Sequence, residues 1–293
     1  MKKIDVDWIK KHPWDLKNAK TQTYEMCIKA VKKEGMLLRD VRFDELNLTK
    51  EQTYNLYLTA VKEFGYALEY VMEQTPEICI EAVRNRAYAL KYVKWNKLRG
   101  KFSKEQLDKI CIEAVRQDGL ALEYVIEQTP EICLEAVRNR GYALKYVNNQ
   151  TDEICIEAVK KNGLNLFYVK EQTPRICIEA IKQKGCALMD VKEQTPEICI
   201  YALKQDKHLI KYIRNKEEYE DMFNIKYLKE QEEAKEVFAV KENGVWLFTV
   251  GCQENITKEE FIERIYSEGG GFDPENDINV HRQVYLDFLK EFQ

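Results

Sequence analysis

Nine cysteines and three histidines are the residues of this 293-residue chain best suited to redox, nucleophilic or metal chemistry. Seven of the cysteines (Cys27, Cys79, Cys111, Cys133, Cys155, Cys177 and Cys199) recur in one local context, each followed three residues later by Ala, and only Cys186 and Cys252 stand apart. No Cys-x-x-Cys pair exists, so neither a zinc knuckle nor a redox dithiol is spelled out. Thiols repeated at one register would sit a structural layer apart, beyond the ~7 Å Cα separation that a disulfide spans. They are expected to be small buried apolar residues of a reducing compartment. His12, His208 and His281 lie outside any His-Glu-x-x-His spacing, and neither a nucleophile elbow nor a phosphate-binding glycine loop occurs. The run Asp273-Pro-Glu275-Asn-Asp277 copies the first five places of a calcium loop but lacks its Gly and closing Glu. With His281 it is a weak acid/base or divalent-ion candidate, set against a solvated loop. No catalytic residue, metal ligand or cofactor is assigned.

Basic residues make the stronger pattern. Lys32, Lys62, Arg84, Arg116, Arg138, Lys160, Lys182 and Lys204 each lie five residues after the same register mark, with amides such as Asn85, Gln117 and Asn139 beside them. Aligned in space they would form one positive stripe, suited to a phosphate backbone or an acidic protein face. The competing reading is helix chemistry: cations are favoured in a last helical turn, and Glu81, Glu113, Glu135, Glu157 and Glu179 stand three residues upstream as partners. A second candidate is the run Lys94 to Lys104, in which Trp95, Lys97, Arg99, Lys101 and Phe102 combine cations with aromatic rings. Such a mixture can grip a backbone and stack bases, or it can be a hinge filled by its own rings.

The element that must position these residues is a repeat. Thr75-Pro-Glu-Ile-Cys-Ile-Glu-Ala-Val83 recurs nearly verbatim from Thr129, Thr151, Thr173 and Thr195. With Cys as the mark, eight copies centre on Cys27, Tyr57, Cys79, Cys111, Cys133, Cys155, Cys177 and Cys199, spaced by 22 residues except where insertions follow the first and third. Each copy reads as two short helices. Thr75 suits an N-cap and Pro76 the first helical position, while Ile78, Cys79, Ala82 and Val83 form an apolar stripe. Ala stands three residues after the mark in every copy, implying close helix approach. Gly stands eight after it in six copies (Gly35, Gly65, Gly119, Gly141, Gly163, Gly185), where a left-handed helix stop is expected. Leu90 and Val93, with Tyr92, typify the second helix. Helices this short are marginal alone, so copies must stack.

The pattern Gln-Thr-x-Glu-Ile-Cys-x-x-Ala-Val with Gly-x-Ala-Leu-x-Tyr-Val, as at Gln74 to Val93 and Gln128 to Val147, resembles a family of bacterial and giant-virus helical repeats of the domain of unknown function 4116 type. The likeness covers about residues 23–214. It implies a fold, and the family carries no assigned catalytic residues. Its association with phages and mobile elements adds one expectation, a role as inhibitor of a host system.

The expected fold class is mainly α: an α-solenoid of eight two-helix repeats with a small C-terminal α+β unit. Residues 1–22 are a cap segment, 23–216 the solenoid with insertions near 42–50 and 94–106, and 217–293 an acidic unit. In that last unit Glu217 to Glu236 reads as a linking helix, Asn243-Gly244 as a hairpin turn, Thr257 with Glu260 as a capping box, and Asn279 to Phe292 as a final helix. Charge divides along the same line: residues 1–216 hold 38 Lys and Arg against 31 Asp and Glu, a balance of +7, and residues 217–293 hold 8 against 19, a balance of −11. No apolar run reaches the ~20 residues of a membrane helix, and Met1 to Gln22 is too charged for a signal core, so a cytoplasmic address is expected. The functional expectation is a non-enzymatic interaction protein holding a macromolecular partner, with protein favoured. Alternatives are RNA or DNA binding through the stripe, or a nuclease-like enzyme using the C-terminal unit. Oligomeric state is left open.

Overall fold

A computed structural model describes residues 4–231, 234–251, 253–267, 272–273, 278–279 and 282–292. The chain divides into two compact units, Met1–Lys170 and Glu171–Gln293.

In the first unit, α-helices Tyr24–Lys33, Lys50–Glu63, Pro76–Asn85, Lys104–Gln117, Pro130–Asn139 and Asp152–Lys161 each precede a six-residue helix, the third of these being Ala87–Tyr92. Threonines cap as their sequence position demands: Thr75 accepts from the Ile78 N–H, Thr129 from Ile132, Thr151 from Ile154. The short second elements are 3-10 helices rather than α-helices. One extended residue, such as Arg86 (φ −144°, ψ 108°), separates the two helices, leaving six residues that close with tight turns such as Val93 N–H to Leu90 C=O at 3.1 Å. Each α-helix packs on the α-helices of adjacent copies and each 3-10 helix on its counterparts. Helix Val6–Lys11 and 3-10 helix Pro13–Asn18 add a shortened layer before the first copy.

The repeat glycines correct the expected left-handed stop. Among the described glycines positive φ occurs at Gly100, Gly244 and Gly251 and at no repeat glycine. Instead a Cβ on Gly35, Gly65 or Gly119 would overlap the carbonyl oxygen of Ala60, Ala82 or Ala136 in the following copy. The small pair is thus one contact where both are present in this way: Gly35, Gly65 and Gly119 lie on the backbone of the Ala turn of the next copy.

A second inter-copy device uses the Gln of the repeat. Gln74 Nε2 donates to Leu68 C=O (3.1 Å) and Tyr92 C=O (2.9 Å), and its Oε1 accepts from the Lys94 N–H (2.7 Å) and, weakly, from the Cys79 thiol (3.8 Å). It therefore fastens the end of one 3-10 helix to the end of the next. Gln22, Gln128 and Gln150, and in the second unit Gln172 and Gln194, bond the equivalent carbonyl and N–H. The residue supplying that N–H often staples the preceding copy as well: Arg42 reaches Ala19 C=O (2.8 Å), and Lys94 reaches Val71 C=O (2.7 Å).

The second unit holds copies Pro174–Gln183 with Gly185–Asp190 and Pro196–Gln205 with Lys207–Tyr212. Four antiparallel strands follow in sequential order: β1 (Ile225–Leu228), β2 (Val237–Glu242), β3 (Val245–Val250) and β4 (Gln253–Ile256). The expected linking helix ends early, at Phe223, because Asn224 turns left-handed (φ 51°) and Ile225 pairs with Val240. Asn243 and Gly244 (φ 50° and 84°) make the anticipated turn, and Thr257 with Glu260 closes the anticipated capping box on helix Lys258–Ile265. The final helix is Arg282–Leu289, shorter than expected because Ile278–Asn279 pairs as a strand with Phe272–Asp273. Phe248, Phe261, Tyr285, Phe288 and Phe292 centre a core between the sheet and these helices. The sheet also closes over the last copy, with His208 stacked on Phe238 (3.8 Å between ring centroids) and Lys211 paired with Glu236 (3.1 Å).

Candidate interaction surface

The basic positions fall where the sequence puts them, at the C-terminal ends of the α-helices, but from Lys62 to Lys160 they are bound to glutamates within or between copies. Arg84 bridges Glu81 (3.3 Å) and Glu113 of the next copy (2.9 Å); Arg116 holds Glu135 of its successor (2.6 Å); Arg138 bridges Glu135 and Glu157 (3.6 Å each). Lys62 joins Glu81 (3.9 Å) and Lys160 joins Glu157 (3.8 Å). The guanidinium of Arg84 beside Glu113 holds that carboxyl below its ordinary range, and Glu113 and Glu135 raise Arg84 and Arg116 in turn. The result is a line of alternating charge. Lys32 stands exposed in the first unit, and Lys182 and Lys204 are exposed in the second.

Two of the neighbouring amides are likewise engaged in the stack. Asn85 accepts from the Gly65 N–H (2.8 Å) and donates to Lys62 C=O (2.7 Å); Asn139 does the same for Gly119 (2.8 Å) and Arg116 (2.8 Å). They secure the Gly-on-Ala contact rather than present free amides.

The insertion after the third copy folds into a helical turn, Trp95–Leu98, reversed at Gly100 (φ 81°). Leu98 is buried, Trp95 and Phe102 are half-buried, and Lys97, Arg99 and Lys101 are exposed. Arg99 pairs with Glu127 (2.7 Å), and both line a cavity of about 230 Å³ with Trp95, Phe102, Leu107, Asp108, Cys111 and Ile126. Burial pushes the Asp108 carboxyl upward and the Cys111 thiol up to about 12, so the thiol is no nucleophile at neutral pH. The first insertion builds a counterpart of about 540 Å³ between Phe43, Leu46, Leu48, Tyr54, Tyr57 and Met72.

A stripe that the sequence reading passed over runs along the 3-10 helices. Tyr66 meets Tyr92 (6.0 Å between centroids), Tyr88 meets Tyr124 (5.9 Å) and Tyr142 meets Tyr168 (5.0 Å), each pair spanning neighbouring copies edge-on. Lys91 lies over Tyr66 and Tyr92 (5.5 and 4.7 Å), and Lys145 over Tyr142 and Tyr146 (4.3 and 4.5 Å). The signal was present as Tyr recurring one residue before the repeat Val and, in several copies, one residue after the repeat Gly or Ala.

Among the described residues no group of three or more His, Cys, Asp and Glu is placed to hold a metal ion. His281, Asp277 and Cys252 lie outside the described residues, as does the Asp273 side chain, so the acid/base candidate has no geometry here. No described helix is long and apolar enough to cross a membrane.

No curated protein and no solved structure matches this chain. A family profile described as Domain of unknown function (DUF4116) matches it twice, over residues 108–151 and 129–173, which span the fourth to sixth copies. The repeats between residues 108 and 173 thus belong to the DUF4116 family.

Proposed function

We propose that this chain is a non-enzymatic binding protein whose partner is another protein, held on the first unit around the insertion that carries Trp95 and Phe102. The observation that supports a protein over a nucleic acid is the closed ion-pair line: Arg84, Arg116 and Arg138 each have a glutamate within 3.6 Å. A line of alternating sign gives little of the uncompensated positive field on which phosphate binding depends. Aromatic rings at the surface mixed with a few cations, as at exposed Tyr142 and Lys145 and half-buried Trp95, are the composition of protein-recognition surfaces, where Tyr, Trp and Arg carry most of the energy.

Two measurements test this together. Fluorescence anisotropy with labelled single-stranded RNA and duplex DNA, from 50 to 200 mM salt, is expected to show no steep salt-dependent binding. A photo-crosslinking amino acid placed at Trp95 in the source cell is expected to trap protein adducts. Tight nucleic-acid binding that falls steeply with salt and is abolished by Arg84→Glu, Arg116→Glu and Arg138→Glu would overturn the reading in favour of the stripe.

A further inference from the structure

The two insertions interrupt the repeat in the same way. Copies centred on Cys27, Cys79, Cys133 and Cys155 carry the Gln clasp, and fifteen residues after the mark they place Arg42, Lys94, Asn148 and Lys170, whose N–H the clasp receives. The copies centred on Tyr57 and Cys111 follow the insertions; Gln52 and Gln106 hold the clasp position but accept from the Thr49 and Ser103 N–H instead, and the residue fifteen after the mark is not polar. Their first helices start a turn earlier, at Lys50 and Lys104, on capping boxes of Thr49 with Gln52 and Ser103 with Gln106. The residue fifteen after the mark becomes apolar, Met72 and Ile126, yet these are 52% and 59% exposed. Each then forms one wall of a cavity whose other walls come from the inserted segment and from the first helix of the same copy. A position that elsewhere caps backbone carbonyls has twice been given to an uncovered hydrophobe beside aromatic rings.

Resting on the protein-binding reading above, we propose that these two clefts seat one extended acidic segment of the partner, each receiving one bulky apolar side chain. Three observations select this occupant. The cleft at Trp95 and Ile126, at about 230 Å³, is smaller than the ~300–1,000 Å³ of small-molecule pockets but has room for a Leu, Met or Phe side chain, and the roomier cleft at Met72, at about 540 Å³, also admits one. The segment 94–104 contributes five cations and no acid. Of these, Lys97 and Lys101 are exposed and have no ion pair among the described residues, so acidic neighbours of the side chain inserted beside Trp95 would be attracted. The clefts lie in copies two layers apart, roughly 20 Å at ~10 Å per packed helix, which an extended chain at ~3.3 Å per residue spans in about six residues. The two anchors are therefore set about six residues apart.

Selection of a random peptide library of about twelve residues on the full chain, followed by anisotropy of the winning labelled peptides, tests this. The expected winners carry acidic residues and two bulky apolar residues five to seven positions apart. Met72→Lys and Ile126→Lys, which restore the residue type found at this exposed position in other copies, are each expected to weaken binding at least tenfold. Lys97→Glu with Lys101→Glu should weaken it and flatten its salt dependence, and Lys182→Glu should leave it unchanged. Winners that bind the Met72→Lys and Ile126→Lys proteins as well as the parent would overturn the cleft assignment while leaving protein binding intact. Winners with one apolar anchor, sensitive to Ile126→Lys alone, would overturn the two-cleft geometry, as would a selection that enriches nothing. Photo-crosslinking at Trp95 that yields only nucleic acid would instead refute the reading on which the proposal rests.

Discussion

Replacing Gln74 by Met keeps the side-chain length and removes every polar atom of one clasp. Of the groups released, Leu68 C=O still accepts from the Val71 N–H (3.2 Å), but Tyr92 C=O and the Lys94 N–H lose the bonds of 2.9 and 2.7 Å that Gln74 gave them. Gln74 is among the few buried polar side chains, so water cannot readily replace it. An orphaned buried group costs about 1–3 kcal/mol, and the added apolar burial of Met returns about 1 kcal/mol. With two groups orphaned the net loss is about 1–5 kcal/mol. Followed by far-UV circular dichroism in urea, with a slope of roughly 3 kcal/mol per molar, the transition of the first unit should fall by about 1 M. Gln117→Met, at an exposed position in a last helical turn, is the control and should move it little. Gln74→Glu turns both donor contacts into oxygen facing oxygen. A carboxylate so placed has its folded-state pKa raised, so the loss should deepen as pH rises from 4 to 8. Equal midpoints for Gln74→Met and Gln117→Met would refute the clasp as the fastening between copies.

Gly65→Ala should destabilise by about 1–3 kcal/mol, read from the thermal midpoint, because its methyl would meet the Ala82 carbonyl oxygen; a neutral result would dismiss the Gly-on-Ala contact. Burial raises the thiols of Cys27, Cys133, Cys155 and Cys177 to about 11 and those of Cys79 and Cys111 to about 12, which at pH 8 cuts the thiolate fraction roughly a hundredfold or more relative to an ordinary thiol. Iodoacetamide followed by peptide mapping should leave these cysteines unmodified in the native protein and modify them in urea. The same shift has a stability consequence: the folded state retains protons that the unfolded chain releases above pH 9, so this contribution is intact below pH 9 and is lost as pH climbs towards 11 and 12. Unfolding midpoints that stay level from pH 9 to 10.5 would contradict it. Arg116→Ala, despite its 2.6 Å bond to Glu135, should cost about 0–1 kcal/mol because the pair is solvent-exposed; a loss above about 2 kcal/mol would show the ion-pair line to be a main support of the stack.

The period of the chain could be read from its letters, because stacking of short helices requires the same side chains at the same place in every copy. Thr75, Pro76, Ile78, Cys79, Ala82 and Val83 fixed the first helix of each copy through local rules of capping and periodicity, and Asn243-Gly244 fixed the hairpin in the same way. Whatever depended on a neighbouring copy was invisible at that level. Gly65 looked like a helix stop until the Ala82 carbonyl of the next copy appeared against it. Gln74, an ordinary polar letter, proved to bond residues 6 positions before and 18 to 20 after it. The basic column was legible, but its pairing with Glu113 and Glu135 from following copies was not, since sequence distance does not set the distance across a layer. Nor could a string of residues reveal that Met72 and Ile126 stay exposed beside the inserted rings, because a cleft is made by the absence of a packing partner and only the folded chain determines where one is missing.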